Sequence, residues 1–202
     1  MEIVPQSSLW RQTTDVDYMR QDGREEHPSH RWVTERLTAV YADTSFSLLD
    51  CGVMSGVTYE AFQKAGLRVD YTGIDIGRSI INDCREKYPE ARWHQMTVTD
   101  LALPDSSFDV VNCRHLLECL PYYETAVREV FRVSRRHVVL CFFQPPREPE
   151  VLVRRESSGG YVWFNRYAPG PLEQLLSSLS NTVESVDVAH DRRLNRIYFC
   201  TK

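Results

Sequence analysis

The chain has 202 residues, and 42% of them are apolar and 26% charged, a balance typical of one folded domain rather than of a disordered chain. The formal net charge of −4 gives no general attraction for nucleic acid, so we do not expect nucleic acid as a partner. The six cysteines form no CxxC pair, and no apolar run is long enough to span a membrane. We therefore expect a cytoplasmic protein without a metal centre and without a membrane contact.

The first part of the chain divides into a polar arm and a helix. Residues 1–27 show no strong periodicity, and they are compatible with either a lid or a disordered tail. From His27, the run HPSHRWVTERLTAVYAD places apolar side chains at helical spacing, which predicts a helix packed on a sheet. The expected organisation is thus an arm at 1–27 and a single domain at 28–202.

Strands and helices then alternate along the chain. The predicted strands are 45–53, 69–76, 91–98, 108–115 and 136–143, and the helices between them are 58–66, 79–88 and 122–134. This alternation, with nearly continuous apolar strands, predicts parallel pairing in a sheet that is covered on both faces.

The C-terminal third departs from this rhythm. Residues 144–168 are rich in proline and glycine, and we expect an irregular surface excursion there. After a helix at 171–180, two strands at 183–190 and 196–202 are joined only by the polar DRRLN, and so short a connection allows only antiparallel pairing. The fold class is therefore α/β, a doubly wound, mostly parallel, Rossmann-like sheet of about seven strands with an antiparallel C-terminal hairpin.

The turn after the first strand, in the stretch LLDCGVMSGVTYE at 48–60, contains Gly52 and Gly56. In a doubly wound sheet, ligands lie beyond the carboxyl ends of the strands, and glycines in the first turn let the backbone approach them closely. A dinucleotide fingerprint GxGxxG would need glycine at 54 and glycine or alanine at 57, but the chain has Met54 and Val57. A nicotinamide-dependent oxidoreductase is therefore disfavoured.

Two acidic residues point to an adenosine ligand that carries a positive charge. Asp50 ends the first strand, where it would repel a pyrophosphate but attract an α-ammonium group, directly or through water. Asp75 ends the second strand, near the spacing at which an acid binds ribose hydroxyls. The alternative for Asp75 is a cap at the start of the next helix.

These residues resemble the class I S-adenosylmethionine-dependent methyltransferases, especially methyltransferase type 11, over roughly residues 45–200. The run LALPDSSFDVVNCRHLLECL at 101–120 and the C-terminal hairpin add to the likeness. The resemblance implies S-adenosylmethionine as cofactor, with S-adenosylhomocysteine as product. It also implies a set of cofactor-binding residues: Asp50, Gly52, Gly56, Asp75, Ile76, Thr99, Asp100 and Leu101.

Two positions depart from the family pattern. Met54 stands where the family has a small residue, which predicts a tighter or shifted cofactor loop. The fourth strand ends in NCRH at 112–115 rather than in an NPPY-type tetrapeptide, and this argues against the branch that methylates amino groups of nucleic acids.

The substrate side rests on fewer signals. His115 ends the fourth strand, and its ordinary pKa suits a general base, although a structural histidine is an open alternative. Arg114, Tyr161 and Phe164 are the predicted substrate-binding residues, and the aromatics of WFNRYAPGP at 163–171 could instead cap the sheet edge. Glu118 is expected to be a solvated or capping carboxylate.

Three arginines in the predicted excursion, Arg147, Arg154 and Arg155, could bind an anionic substrate or simply be solvated. The sequence thus predicts transfer of a methyl group from S-adenosylmethionine to an oxygen or nitrogen of a small or medium-sized acceptor. A non-catalytic binding module with the same fold is the alternative, and the oligomeric state is left open.

Overall fold

A computed structural model of the chain describes residues 27–157, 160–190 and 193–202. Nine strands are present among these residues: β1 Phe46–Cys51, β2 Val69–Asp75, β3 Arg92–Gln95, β4 Phe108–Arg114, β5 Ser134–Phe142, β6 Arg154–Ser157, β7 Gly160–Trp163, β8 Thr182–His190 and β9 Arg193–Thr201. The five helices in the same ranges are α1 Pro28–Tyr41, α2 Val57–Lys64, α3 Arg78–Lys87, α4 Glu124–Val133 and α5 Pro169–Leu179.

Seven strands form one sheet in the order β3-β2-β1-β4-β5-β9-β8. The five strands from β3 to β5 pair in parallel, and β9 pairs antiparallel with both β5 and β8. The predicted doubly wound sheet with an antiparallel C-terminal hairpin is therefore confirmed. β1 and β4 are neighbours in the middle of the sheet, and the strands that follow each of them are added in opposite directions. Ligands of such folds bind at this switch point.

Helices cover both faces of the sheet, as the apolar strands require. On one face, α1, α2 and α3 bury side chains that include Leu37, Phe62 and Ile81 against the sheet. On the other face, α4 and α5 do the same with side chains that include Val130 and Leu176. Burial of this apolar surface, at about 25 cal/mol per Å², is the main favourable term that holds the strand ends in place.

The helix predicted after the arm begins at Pro28, and His27 caps it by accepting a hydrogen bond from the Ser29 amide at its Nδ1 (3.2 Å). Residues 1–26, the predicted arm or lid, lie outside the described residues. No helix within the described ranges is both long and apolar enough to cross a bilayer.

Three predicted elements need correction. The third strand ends at Gln95 rather than at 98, because the chain turns where Thr97 and Asp100 form an isolated bridge. The predicted irregular excursion contains two short strands, β6 and β7, which pair antiparallel. Neither strand contains a proline, so all their amides can take part in pairing. The last strand begins at Arg193 rather than at 196, since Arg193, Leu194 and Asn195 continue the pairing with β8.

Candidate active site

A pocket opens at the carboxyl ends of β1, β2 and β4, the place that the strand order singles out. Its volume is about 1000 Å³ including the open mouth. The lining residues come from the loops after these strands and after β3: Asp50, Gly52, Val53, Met54, Val57, Thr58, Ile74, Asp75, Ile76, Ile80, Met96, Thr97, Val98, Arg114, His115, Leu116, Cys119 and Leu120. Apart from a few polar groups the wall is apolar, as is usual for a small-molecule site.

The two glycines of the first turn have different roles. Gly52 lines the pocket with φ +79°, and a Cβ at this position would lie 3.3 Å from the side chain of Leu116, a neighbouring lining residue. Gly56 also has a positive φ, but a Cβ there would lie 2.7 Å from the ring of Tyr88, which is away from the pocket wall. Gly52 therefore keeps the pocket open, whereas Gly56 makes room for helix packing.

Met54 lines the pocket without filling it. Its backbone adopts φ +48°, a left-handed conformation that is uncommon for a residue with a side chain. Its amide donates to the Asp75 carboxylate at 3.3 Å, and its carbonyl accepts a hydrogen bond from the Cys84 thiol. The methionine thus bends the turn towards β2 and leaves space beside Asp75, so the departure from the family pattern does not close the site.

Asp75 ends β2 at the floor of the pocket, where it is 8% exposed. Its Oδ1 accepts a hydrogen bond from the Gly77 amide (2.9 Å), which caps the turn before α3, whereas no side chain caps the first turn of the helix itself. Burial raises the pKa of Asp75 to about 6, although the backbone amides oppose that shift. Each carboxylate oxygen can accept more than one hydrogen bond, so the capping contact leaves capacity for a ligand's hydroxyl groups.

Asp50 lies at the end of β1, beside Gly73 of β2 on one side and Asn112 of β4 on the other. The Tyr71 hydroxyl donates to one of its oxygens and the Asn112 amide donates to the other, at 2.5 and 2.7 Å. Burial raises the pKa of Asp50 despite these donors. A buried carboxylate at the edge of a pocket is stabilised by a cation, which fits the predicted interaction with an α-ammonium group.

The residues after β3 sit differently from the prediction. Met96, Thr97 and Val98 line the pocket, while Thr99, Asp100 and Leu101 lie beyond this wall and Asp100 is exposed. The physical reason is the shorter third strand, since the loop reaches the pocket three residues earlier than a strand ending at 98 would allow. The structure does not bring the predicted adenine contacts to the pocket.

The loop after β3 is held from α4 by an ion pair, which we call the α4 clamp: Glu129 and Arg132. Glu129 accepts a hydrogen bond from the Leu101 amide at 2.8 Å, and Arg132 donates to the carbonyls of Leu101 and Leu103 at 2.8 and 2.9 Å. The two side chains also pair with each other at 2.7 Å. The clamp therefore fixes the backbone that follows the pocket-lining residues Met96 to Val98.

His115 follows β4 with φ +53° and lines the pocket. The Arg114 guanidinium lies 3.2 Å from its Nδ1 and can only donate, so Nδ1 is the acceptor and Nε2 carries the hydrogen that is donated to Asn195 Oδ1 at 2.7 Å. Burial and the Arg114 charge lower the pKa of His115 well below its ordinary value. Both ring nitrogens are engaged, and the lowered pKa makes the ring a poor proton acceptor, so this geometry does not favour the predicted general base.

Arg114, a predicted substrate-binding residue, does line the pocket. Its guanidinium also lies 3.4 Å from the hydroxyl of Ser29 at the start of α1. This contact joins the pocket wall to the first helix, so a ligand at Arg114 would be sensitive to the position of α1.

Glu118 is not the solvated or capping carboxylate expected from the sequence. It lies on a 3₁₀ turn, Leu117–Cys119, is fully buried, and accepts hydrogen bonds from the amides of Phe143 and Gln144 at 2.5 and 3.3 Å. Burial raises its pKa to about 8. Because the chain after β5 folds back over this turn, Glu118 connects the loop after β4 to the loop after β5.

The excursion is fixed on the same turn by buried polar side chains. The Asn165 amide donates to the Leu120 carbonyl (2.6 Å), and the Tyr167 hydroxyl lies within hydrogen-bond distance of the Leu117 and Leu120 carbonyls. Both side chains are at most 2% exposed. The end of the segment that was expected to be irregular is therefore packed on the turn at Asn165 and Tyr167.

Tyr161 and Phe164, the other predicted substrate-binding residues, are not among the residues that line the pocket. Tyr161 is on β7, with the Arg154 guanidinium 5.0 Å from its ring centre. Phe164 lies 6.1 Å from the ring of Phe143, which in turn lies 5.6 Å from the ring of His115. Phe164 is thus connected to the pocket through one intervening ring, and Tyr161 is not.

Several functional residues were missed from the sequence. A third strand that ends at Gln95 would have placed Met96 to Val98 at the pocket. The sequence has no glycine, proline or other turn signal there to mark that end. Asn112 and Tyr71 hold Asp50 from neighbouring strands, and Asn195 holds His115 from β9. These contacts join residues far apart in the sequence, so no local pattern could indicate them.

Comparison with known proteins agrees with this geometry. Residues 49–142 match the methyltransferase domain family of type 11. Over 135 residues the chain is 32% identical to the phosphatidylethanolamine N-methyltransferase of Cereibacter sphaeroides, covering 60% of this chain and 64% of that protein. Over 137 residues it is 26% identical to the ubiquinone biosynthesis O-methyltransferase of Pseudomonas entomophila, covering 65% and 56%. The chain thus spans less than two thirds of the length of either relative.

A solved structure shows the same fold. The 1,6-didemethyltoxoflavin-N1-methyltransferase of Burkholderia thailandensis, solved with its acceptor and S-adenosylhomocysteine, superposes with a TM-score of 0.68 at 17% identity, over 100% of this chain and 93% of that one. The pocket beside Gly52 and Asp75 lies at the switch point of this fold. Residues 49–142 thus match the methyltransferase domain family, and the chain has the class I S-adenosylmethionine-dependent methyltransferase fold.

Proposed function

We propose that the chain binds S-adenosylmethionine in the pocket beside Gly52 and Asp75 and transfers its methyl group to an oxygen or nitrogen of a small or medium-sized acceptor. The observation that carries the proposal is the pair formed by an open position at Gly52 and a buried carboxylate at Asp75. Two of the curated relatives are named as an N-methyltransferase and an O-methyltransferase, which supports nitrogen and oxygen as candidate acceptor atoms.

Each part of the ligand has a matching group in the pocket. Asp75, with Ile76 beside it, accepts hydrogen bonds from the ribose hydroxyls, and Met96 to Val98 form the apolar wall against the adenine. The buried Asp50 carboxylate faces the α-ammonium group. The residues present therefore fit this cofactor without a change in the turn at Met54.

When bound, S-adenosylmethionine supplies a methyl group on a sulfonium, so the bond to the acceptor forms as the carbon–sulfur bond breaks and S-adenosylhomocysteine remains. The protein's contribution is alignment in a pocket from which water is excluded. His115 and Leu116 wall the side of the pocket opposite Asp75 as a neutral ring and an apolar chain. We assign His115 to positioning, and the acceptor's proton leaves to solvent.

Calorimetric titration of the full chain with S-adenosylhomocysteine tests the binding step. Asp75→Asn should weaken binding about ten- to a hundredfold, because charge-assisted hydrogen bonds to the ribose are lost. Asp70→Asn is the matched control, since Asp70 is an exposed residue of the same strand that pairs with Arg92, and it should leave binding unchanged.

Affinity should also fall about tenfold per pH unit below about pH 6, where Asp75 takes up a proton in the unliganded protein. No binding by the unaltered chain at millimolar ligand would contradict the proposal. Normal binding without release of S-adenosylhomocysteine in any acceptor screen would favour the non-catalytic module instead.

A further inference from the structure

A row of rings leads from the pocket towards the hairpin of β6 and β7. We call it the acceptor row and define it by His115, Phe143 and Phe164. The His115 and Phe143 rings are 5.6 Å apart and nearly perpendicular, and the Phe143 and Phe164 rings are 6.1 Å apart at 72°. The row begins at the pocket wall with His115, while Phe143 and Phe164 lie outside that wall.

The rings of the row are only partly buried. Neither phenylalanine belongs to the buried cores on the two faces of the sheet. Partly exposed aromatic rings offer apolar edges and faces against which another flat, apolar molecule can pack. Aromatic surface that is continuous with a pocket is typical of a ligand site rather than of a protein core.

A cation stands at the far end of the row. The Arg155 guanidinium lies 4.6 Å from the centre of the Phe164 ring. In the described part of the chain, no carboxylate lies within 4 Å of it, whereas its neighbour Arg154 pairs with Glu156 at 2.9 Å. Consecutive strand residues point to opposite faces, so only Arg155 is presented on the side of the row.

The negative charge of the whole chain makes a local cation such as Arg155 the place where an anion would bind. With a net charge of −4, the protein as a whole repels anions. An anionic molecule would therefore bind only where a local cation attracts it. A guanidinium held over a ring is preorganised for a carboxylate, sulfonate or phosphate group, because its planar fork presents two parallel donors.

We propose that the acceptor row and Arg155 bind the methyl acceptor, and that this acceptor is a flat aromatic molecule with a negatively charged group. The inference rests on the proposed function, since it names the substrate class of the same site. The reacting oxygen or nitrogen lies at the His115 end, next to the cofactor pocket, and the negative group lies at the Arg155 end.

Two fluorescent probes with the same ring system test the inference without a known substrate. 1-Anilinonaphthalene-8-sulfonate carries a sulfonate, and N-phenyl-1-naphthylamine is its neutral counterpart. We expect the sulfonate to bind the full chain about tenfold or more tightly than the neutral probe, and Arg155→Gln to remove that difference. Arg154→Gln, the matched control on the other face of the hairpin, should retain it.

A second variant tests the ring contribution. Phe164→Ala should weaken the neutral probe about three- to tenfold because it loses the ring contact, and the sulfonate probe by at least as much because Arg155 also loses the ring over which it is held. Equal binding of the two probes by the unaltered chain would overturn the anionic class. Sulfonate binding that Arg155→Gln leaves intact would overturn the site.

The titration with S-adenosylhomocysteine separates this inference from the proposed function. Arg155→Gln and Phe164→Ala should bind that ligand as the unaltered chain does, because neither residue lines the cofactor pocket. If the unaltered chain discriminates between the probes but binds no S-adenosylhomocysteine, the proposed function alone is contradicted. If the unaltered chain binds S-adenosylhomocysteine but does not discriminate between the probes, the acceptor class alone is contradicted.

Discussion

The two sides of the site are built by different means. On the cofactor side, the groups that matter are fixed by the backbone: Gly52 by its left-handed conformation, and Asp75 by amide donors from Met54 and Gly77. On the acceptor side, the wall depends on buried side chains such as Glu118 and Asn165 that connect separate loops. The first construction is inherent in the fold, while the second can change with the loops.

Cofactor and acceptor binding can therefore be altered separately. Variants of the cofactor side should change S-adenosylhomocysteine affinity without changing the contacts that Glu118 and Asn165 make between the loops. Variants of the acceptor side should change stability or probe binding and leave cofactor affinity intact.

The largest effect is expected at Gly52. Gly52→Val should abolish detectable S-adenosylhomocysteine binding in calorimetry, because its Cβ would lie 3.3 Å from Leu116 and its branches would occupy the pocket. Gly66→Val is the matched control, since Gly66 has a similar φ of +71° but no atom within 4 Å of its Cβ position. The control should lose about 1 to 2 kcal/mol of stability and keep its affinity. Equal losses of affinity would mean that backbone strain, not pocket closure, explains the effect.

A smaller effect is expected at the α4 clamp. Arg132→Met should weaken S-adenosylhomocysteine binding about three- to tenfold, roughly 0.7 to 1.4 kcal/mol, since the carbonyls of Leu101 and Leu103 lose their donor. Arg135→Met serves as control, because Arg135 pairs with Asp109 and holds Ser106, further from the pocket. If Arg132→Met and Arg135→Met bind S-adenosylhomocysteine with the same affinity, the α4 clamp does not hold Met96 to Val98 in position for the ligand.

The smallest effect on cofactor affinity is expected at Glu118, where the change should appear in stability. The pKa of Glu118 is about 8 in the folded chain, against the ordinary value of 4.5 for a glutamate side chain. The unfolded chain therefore releases this proton first, and the stability that the protonated group contributes is lost as pH rises from about 5 through 8. Glu118→Gln cannot ionise, so its free energy of unfolding should fall less over that window.

Urea unfolding at pH 6 and pH 9 measures the difference between the unaltered chain and Glu118→Gln. Glu124→Gln, an exposed carboxyl at the start of α4, should follow the unaltered chain. If Glu118→Gln has the same pH dependence as the unaltered chain, Glu118 ionises normally. Reduced S-adenosylhomocysteine affinity in this variant would mean that the two sides of the site are coupled.

The sequence by itself determined the fold and part of the cofactor side of the site. Strands and helices are encoded by local periodicity, and the glycine turn with Asp50 and Asp75 follows from where parallel strands end. These features depend on neighbours in the sequence, so Gly52, Asp75 and Ile76 could be placed at the pocket before the structure was known.

The tertiary structure alone decided the roles of the remaining residues. The His115 ring is held in its orientation by Asn195, 80 residues away in the sequence, which accepts the Nε2 hydrogen. Glu118 is buried rather than solvated because the chain after β5 folds over it, 25 residues later. Protonation and burial are set by contacts between distant segments, and such contacts exist only once the sheet has assembled.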